Sequence, residues 1–277
     1  MPSITSLQLT PFGGPIQYDN ILHPSARAIV FLDGVQSSGV TPGSTLSAFM
    51  QGYGDVVRVQ YPESIGFNGK KAARQVLEFI QHYRQVVFVG VSLGGLLAYD
   101  IIALAKRRGL KIDFRLGLIS APTGLTDLKD PNAKWARFIP GFPLPRIVSR
   151  KLLFKGPFPD FDPSIDEAEK EELDWHENNS REYPFGPWIR QVAFIARHPA
   201  LDEEVLDRVV TVYVRTQSDP YVRVRRAHIN WGAAYWNGSL PEIVVPVDGH
   251  CNMLAYPREW EAGLKEMFEE LDVKPLI

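Results

Sequence analysis

Short apolar runs alternate along the chain with longer segments whose apolar positions fall at helical spacing. The runs are Ala28 to Leu32 (AIVFL), Val56 to Tyr61, Val86 to Gly90, Phe114 to Ile119 (FRLGLI), Val209 to Val214 (VVTVYV) and Ile243 to Val247. Near-continuous stretches rich in β-branched side chains suit strands buried on both faces. Within Lys70 to Tyr83, Ala73, Val76, Leu77 and Ile80 share one helical face. After Leu93, the positions Leu96, Leu97, Ile101, Ala103, Leu104 and Ala105 suit a helix packed on a sheet. Thr45 to Met50 reads as a short helix, Tyr221 to Tyr235 as mainly helical, and Trp260 to Leu271 as the closing helix. Ser3 to Thr10 alternates and is followed by Phe12-Gly-Gly-Pro15 and Ile16 to Tyr18, which predicts an N-terminal hairpin. Strands interleaved with helices predict an α/β chain with a mostly parallel central sheet flanked by helices.

The alternation breaks between Pro122 and Pro199, a stretch that holds half of the chain's 22 prolines. It also holds Trp135, Phe138, Phe142, Phe154, Trp175 and Trp188 among other aromatics, too many for a disordered tract. Asp166 to Trp175 is a charged helical piece and Trp188 to Arg197 a second helix. The expected organisation is therefore a core of residues 1–121 and 200–277 with a largely helical cap, 122–199, inserted after a core strand. Insertions of this kind often cover active sites.

Composition narrows the function classes. The 277 residues are 45% hydrophobic and 22% charged, an ordinary globular balance. A net charge of −2 points to neither nucleic acid nor an anionic membrane as an obligate partner. No apolar run approaches the roughly 18 residues of a membrane span. MPSITSLQLT has neither the basic nor the apolar region of a secretory signal. The single cysteine, Cys251, excludes an internal disulfide and a multi-cysteine metal site. Together these predict a cytoplasmic setting.

Candidate chemistry centres on Val86 to Asp100, VVFVGVSLGGLLAYD. A strand, then Gly90-Val91-Ser92-Leu93-Gly94, then a helix is the setting that lifts a serine above a strand end. A phosphate loop would need a following Gly-Lys-Ser/Thr, and the dinucleotide fingerprint a glycine in place of Ser92. A tight strand-to-helix turn without chemistry is the plain alternative, and a base and an acid downstream would decide. Of six histidines, His23, His82, His176, His198 and His228 read as surface or packing residues. His250 directly follows the last strand, on the edge where open α/β sheets carry their sites. Asp219, in Thr216-Gln217-Ser218-Asp219-Pro220, follows the preceding strand. Helix capping is its competing role. Asp127 is the weaker alternative acid, and Asp248 lies only two positions from His250.

The order Ser92, Asp219, His250, the strand–G-x-S-x-G–helix setting, and Gly249-His250 with Pro257 beyond it resemble the α/β-hydrolase family. The resemblance runs over nearly the whole chain. It implies Ser92 as nucleophile, His250 as base and Asp219 as the acid that orients it. It implies an oxyanion hole from the N–H of Leu93 and, from the loop after the first core strand, the N–H of Val35. That loop reads Asp33-Gly34-Val35, where the family often has His-Gly-X. The N–H of Gln36, or a hydroxyl of Ser37 or Ser38, is the alternative donor. A serine at the elbow argues against the aspartate-dependent branches. The expected reaction is hydrolysis of a small-molecule carboxylic ester or thioester with an apolar acyl or aromatic part, with no metal or organic cofactor implied. Acyl transfer or lyase chemistry by the same triad, or a non-catalytic receptor on a hydrolase scaffold, are the other readings. Arg223, Arg225 and Arg226 read as a solvated helix face rather than an anion site, and Cys251 as a small packing residue.

Overall fold

The apolar runs become the strands of one sheet. The computed structural model describes residues 3–10, 17–18, 26–35, 42–61, 67–129, 170–171, 185–235 and 239–276. The strands are β1 (Ile4–Gln8), β2 (Gln17–Tyr18), β3 (Arg27–Leu32), β4 (Asp55–Gln60), β5 (Gln85–Val91), β6 (Asp113–Ile119), β7 (Val210–Ser218) and β8 (Glu242–Asp248). They form an 8-stranded sheet in the order β2-β1-β4-β3-β5-β6-β7-β8. Only β2 runs antiparallel, closing the predicted hairpin through Leu7↔Tyr18 and Gln8↔Gln17. It takes the outer edge, and β1 joins the sheet parallel to β4.

The helices are α1 (Ser44–Gln51), α2 (Gly69–Ile80), α3 (Leu93–Arg107), α4 (Phe185–Arg197), α5 (Glu203–Leu206), α6 (Val224–Ala234) and α7 (Pro257–Glu270), with a 3-10 turn at Leu125–Asp127. Successive strand residues face opposite layers. Ala28, Val30 and Leu32 pack with Val76, Leu97 and Trp231 from α2, α3 and α6. Ile29, Phe31 and Val89 pack with Met50, Trp260 and Phe268 from α1 and α7. Both faces are covered, as a parallel sheet requires.

Two of the departures from the expected boundaries have local reasons. The helix expected from Tyr221 begins at Val224, because the N–H groups of Tyr221 and Val222 donate to the Asp219 carboxylate instead. The closing helix begins three residues early, at Pro257, whose ring suits a first helical turn. The one-turn α5 and the 3-10 turn are too short to carry a periodic signal. Residues 130–169 and 172–184, and with them most of the expected cap including nearly all of Asp166 to Trp175, lie outside the described residues. The expected second helix of that stretch is α4. It sends Ile195 into the core cluster shared with α3, and its Phe194 ring meets Phe67 edge-on at 5.3 Å.

Chain order places the site. β3 is followed by β4 on one side and β5 on the other, so the path reverses direction about β3. In such sheets a crevice opens at the carboxyl ends of the strands flanking the reversal. Asp33 to Val35 follow β3 there, and Ser92 follows β5.

Candidate active site

At the end of β5 the chain turns into α3 with no room for a side chain beneath it. A Cβ on Gly94 would stand 1.9 Å from the Leu32 carbonyl oxygen, so only glycine lets α3 start against the end of β3. Ser92 occupies the turn at φ 51° and ψ −116°. A non-glycine residue in that region is strained and persists only where its surroundings hold it. Here the Ser92 N–H donates to the Ile119 carbonyl on β6 at 2.8 Å, and the Gly95 N–H donates to the Ser92 carbonyl at 3.1 Å. The Ser92 side chain makes no capping bond to α3 and is 5% exposed. Leu93 is the first residue of that helix, where backbone N–H groups lack intrahelical acceptors.

His250 reaches the same rim from β8. Gly249, at φ 100°, makes the turn, and a Cβ there would meet Asn252 Nδ2 at 2.2 Å. The turn is tied to β7: the Gly249 N–H donates to the Ser218 carbonyl at 2.8 Å, and Thr216 Oγ1 donates to the Gly249 carbonyl at 2.7 Å. The register between β7 and β8 shifts between Thr216 and Ser218. An irregularity of this kind re-aims the residues that follow, and the next is Asp219. Its Oδ2 lies 2.6 Å from His250 Nδ1. Its Oδ1 accepts from the N–H groups of Tyr221 at 2.8 Å and Val222 at 2.9 Å. The capping-like role and the histidine contact therefore coexist, one on each oxygen. A carboxylate only accepts, so Nδ1 carries the proton and Nε2 keeps its lone pair.

The electrostatics follow from burial. Asp219 has a fully buried side chain, and that of His250 is 19% exposed. Burial pushes the Asp219 carboxyl up, but the His250 charge and hydrogen bond, with the two N–H donors, outweigh it and hold the group below its ordinary value. Burial pulls the His250 imidazole down, but the Asp219 carboxylate, helped by that of Asp33, outweighs it and leaves the ring above its ordinary value.

The end of β6 joins the two halves. The Ile119 carbonyl that accepts the Ser92 N–H also faces Cys251 Sγ at 3.9 Å. No hydrogen bond joins the side chains of Ser92 and His250 among the described residues; they are linked through this scaffold. On the far side, Gly34 is so close that a Cβ would stand 3.3 Å from Ser92 Cβ and 3.9 Å from Oγ. Val35 follows, packed against the core. Gln36, Ser37 and Ser38 lie outside the described residues.

The remaining candidates have other partners. Asp127 is fully buried and accepts from Thr123 N–H at 2.8 Å, Thr123 Oγ1 at 2.7 Å and Asn230 Nδ2 at 2.8 Å, which ties the 3-10 turn to α6. Asp248 accepts from Ser218 Oγ at 2.7 Å. His198 contacts Asp100 at 3.3 Å, His228 contacts the Leu240 carbonyl at 2.8 Å, and His82 packs on Tyr83. His23 and His176 lie outside the described residues. Arg223 donates to the Thr126 carbonyl at 2.9 Å and Arg226 stands 3.8 Å from Asp127, while Arg225 is exposed. Burial pushes the Cys251 thiol well up, so it stays protonated and packs against the core. Among the described residues no group of three or more His, Cys, Asp or Glu side chains is placed to hold a metal ion, and no helix is long and apolar enough to cross a membrane.

A sequence model described as the Alpha/beta hydrolase family matches residues 38–262. The chain belongs to the alpha/beta hydrolase family. Solved members of the fold lie close in structure and far in sequence. The thermophilic esterase of Thermogutta terrifontis shares 14% identity at a TM-score of 0.54, over 88% of this chain and 90% of that one. The RedJ thioesterase of the prodiginine pathway in Streptomyces coelicolor shares 14% at 0.54, over 89% and 91%. NosK from Streptomyces actuosus shares 15% at 0.52, over 89% and 99%. No curated protein matches in sequence. Two further side chains border the site. The Tyr221 ring stands edge-on to the His250 ring, centroids 5.5 Å apart, while 42% exposed. The Asp33 carboxylate is buried. Asp33 was visible only as a departure from His-Gly-X, and Tyr221 had no signal beyond its place after Asp219-Pro220.

Proposed function

We propose that the protein is a serine hydrolase that cleaves a carboxylic ester or thioester with an apolar acyl or aromatic part through an acyl-serine intermediate. The observation that carries this reading is the buried 2.6 Å contact between Asp219 and His250 Nδ1, on the rim where Ser92 is held in its strained turn. His250 Nε2 takes the Ser92 proton as Oγ bonds to the substrate carbonyl carbon, and Asp219 steadies the imidazolium. The N–H groups of Leu93 and Val35 receive the oxyanion, each donor lowering the barrier by about 3–4 kcal/mol. As the tetrahedral centre collapses, the imidazolium returns its proton to the leaving alcohol or thiol. Water, deprotonated by the same nitrogen, then releases the acid and restores Ser92. The lone thiol fits a cytoplasmic setting. The esterase and thioesterase among the similar structures show that this fold hosts both reactions.

The test is turnover of acyl esters and thioesters graded by chain length, wild type against Ser92→Ala. We expect turnover in the wild type and a loss of several powers of ten in the variant. Full activity in Ser92→Ala would sink the nucleophile assignment. Tight binding of the esters with no turnover would make the protein a receptor instead.

A further inference from the structure

Asp33 is a carboxylate where a charge is costly, 8% exposed beside a residue that nearly touches Ser92. Its backbone is pinned from two sides. The Tyr61 hydroxyl donates to the Asp33 carbonyl at 2.7 Å, and α3 abuts that carbonyl so closely that a Cβ on Gly94 would come within 2.8 Å of it. Its Oδ1 accepts the Gly34 N–H at 2.6 Å. That bond uses up the Gly34 donor, so of the two N–H groups after Asp33 it is the Val35 N–H that remains for a substrate oxygen at Ser92. We propose that Asp33 is a positioning residue of the site, fixing the Gly34-Val35 turn through the Gly34 N–H and setting a second negative charge, besides Asp219, on the side of His250.

This rests on the hydrolase reading for its kinetic consequence but not for its geometry. Among the described residues, the charged and titratable groups around His250 are Asp219 after β7, Asp33 after β3, the protonated thiol of Cys251 and the edge-on Tyr221. Both carboxylates raise the imidazole pKa, so Asp33 favours the imidazolium formed while Ser92 attacks. The same charge opposes the developing oxyanion, which makes its engagement with the Gly34 N–H matter: a neutral side chain that left this turn slack would aim the Val35 donor poorly.

Asp33→Asn keeps an oxygen for the Gly34 N–H and removes the charge, whereas Asp33→Ala removes both. His250 is titrated by the NMR shifts of its ring protons, and kcat and KM are measured across pH with a p-nitrophenyl ester. We expect the His250 midpoint to fall in both variants, with the acid limb of kcat/KM moving down with it. At the alkaline plateau kcat should drop about tenfold or more in Asp33→Ala and less in Asp33→Asn, with KM little changed. Unmoved midpoints with equal kcat in all three proteins overturn the proposal. A lower melting temperature with midpoint and kcat unchanged overturns it too, since that is what a merely structural residue gives. The titration needs no substrate, so a wild type without esterase turnover would refute the hydrolase reading and still leave the Asp33 result readable.

Discussion

At His250 two opposing effects meet, and their balance sets the pH range in which the proposed general base is neutral. Burial alone would keep the ring neutral, but the Asp219 carboxylate 2.6 Å away, together with the charge of Asp33, raises its pKa. General-base action needs the neutral ring. With His250 as the proposed base and its pKa raised, activity is expected to climb with pH and to level off only above the ordinary imidazole value of about 6.5. Asp219→Asn removes the larger of the two raising charges and leaves burial in place, so the limb should move to lower pH. Turnover should also fall, by as much as about 10⁴-fold where the asparagine amide selects the wrong tautomer. A pH–rate profile of kcat/KM for both proteins checks this. A limb that stays in place, with turnover unchanged, would point to another carboxylate as the partner of His250.

At the scale of elements, the turn between β5 and α3 depends on how closely α3 approaches the end of β3. Gly94→Ala sets a methyl 1.9 Å from the Leu32 carbonyl, and backbone on both sides prevents an easy retreat. We predict a stability loss of about 1–3 kcal/mol or more, read by urea unfolding, together with a fall in turnover because Ser92 shifts with the helix. Undiminished turnover would mean that the elbow geometry is not what activates Ser92. The strands and the elbow were legible in the sequence because each depends on local pattern: β-branched runs for β3 to β8, glycines around Ser92. The late start of α6 was not, since it depends on a carboxylate choosing between the Tyr221 and Val222 N–H groups and solvent. The outer place of β2, the Ile119 carbonyl shared by the Ser92 and Cys251 segments, and the Tyr221 ring against His250 were not legible either. Each arises from partners distant along the chain, which no run or spacing records. Asp127 shows the reverse: a plausible acid by position that the fold spends on Thr123 and Asn230.

For the molecule as a whole, the parallel sheet gathers at one rim what the sequence spreads over more than two hundred positions. β3 delivers Asp33 to Val35, β5 delivers Ser92, β7 delivers Asp219 and β8 delivers His250, because every one of these strands points the same way. Rigid strands hold the backbone, and short turns stitched between β7 and β8 hold the side chains. The low identity to solved relatives leaves the acyl group to be found by experiment, and the first covalent step proposed here is the acylation of Ser92. It is tested most directly by quenching the enzyme in acid during turnover of a p-nitrophenyl ester and mapping its peptides by mass spectrometry. A single acyl adduct is expected, on Ser92, absent from Ser92→Ala. An acyl group on Cys251 or another residue, or ester turnover that continues in Ser92→Ala, would contradict it.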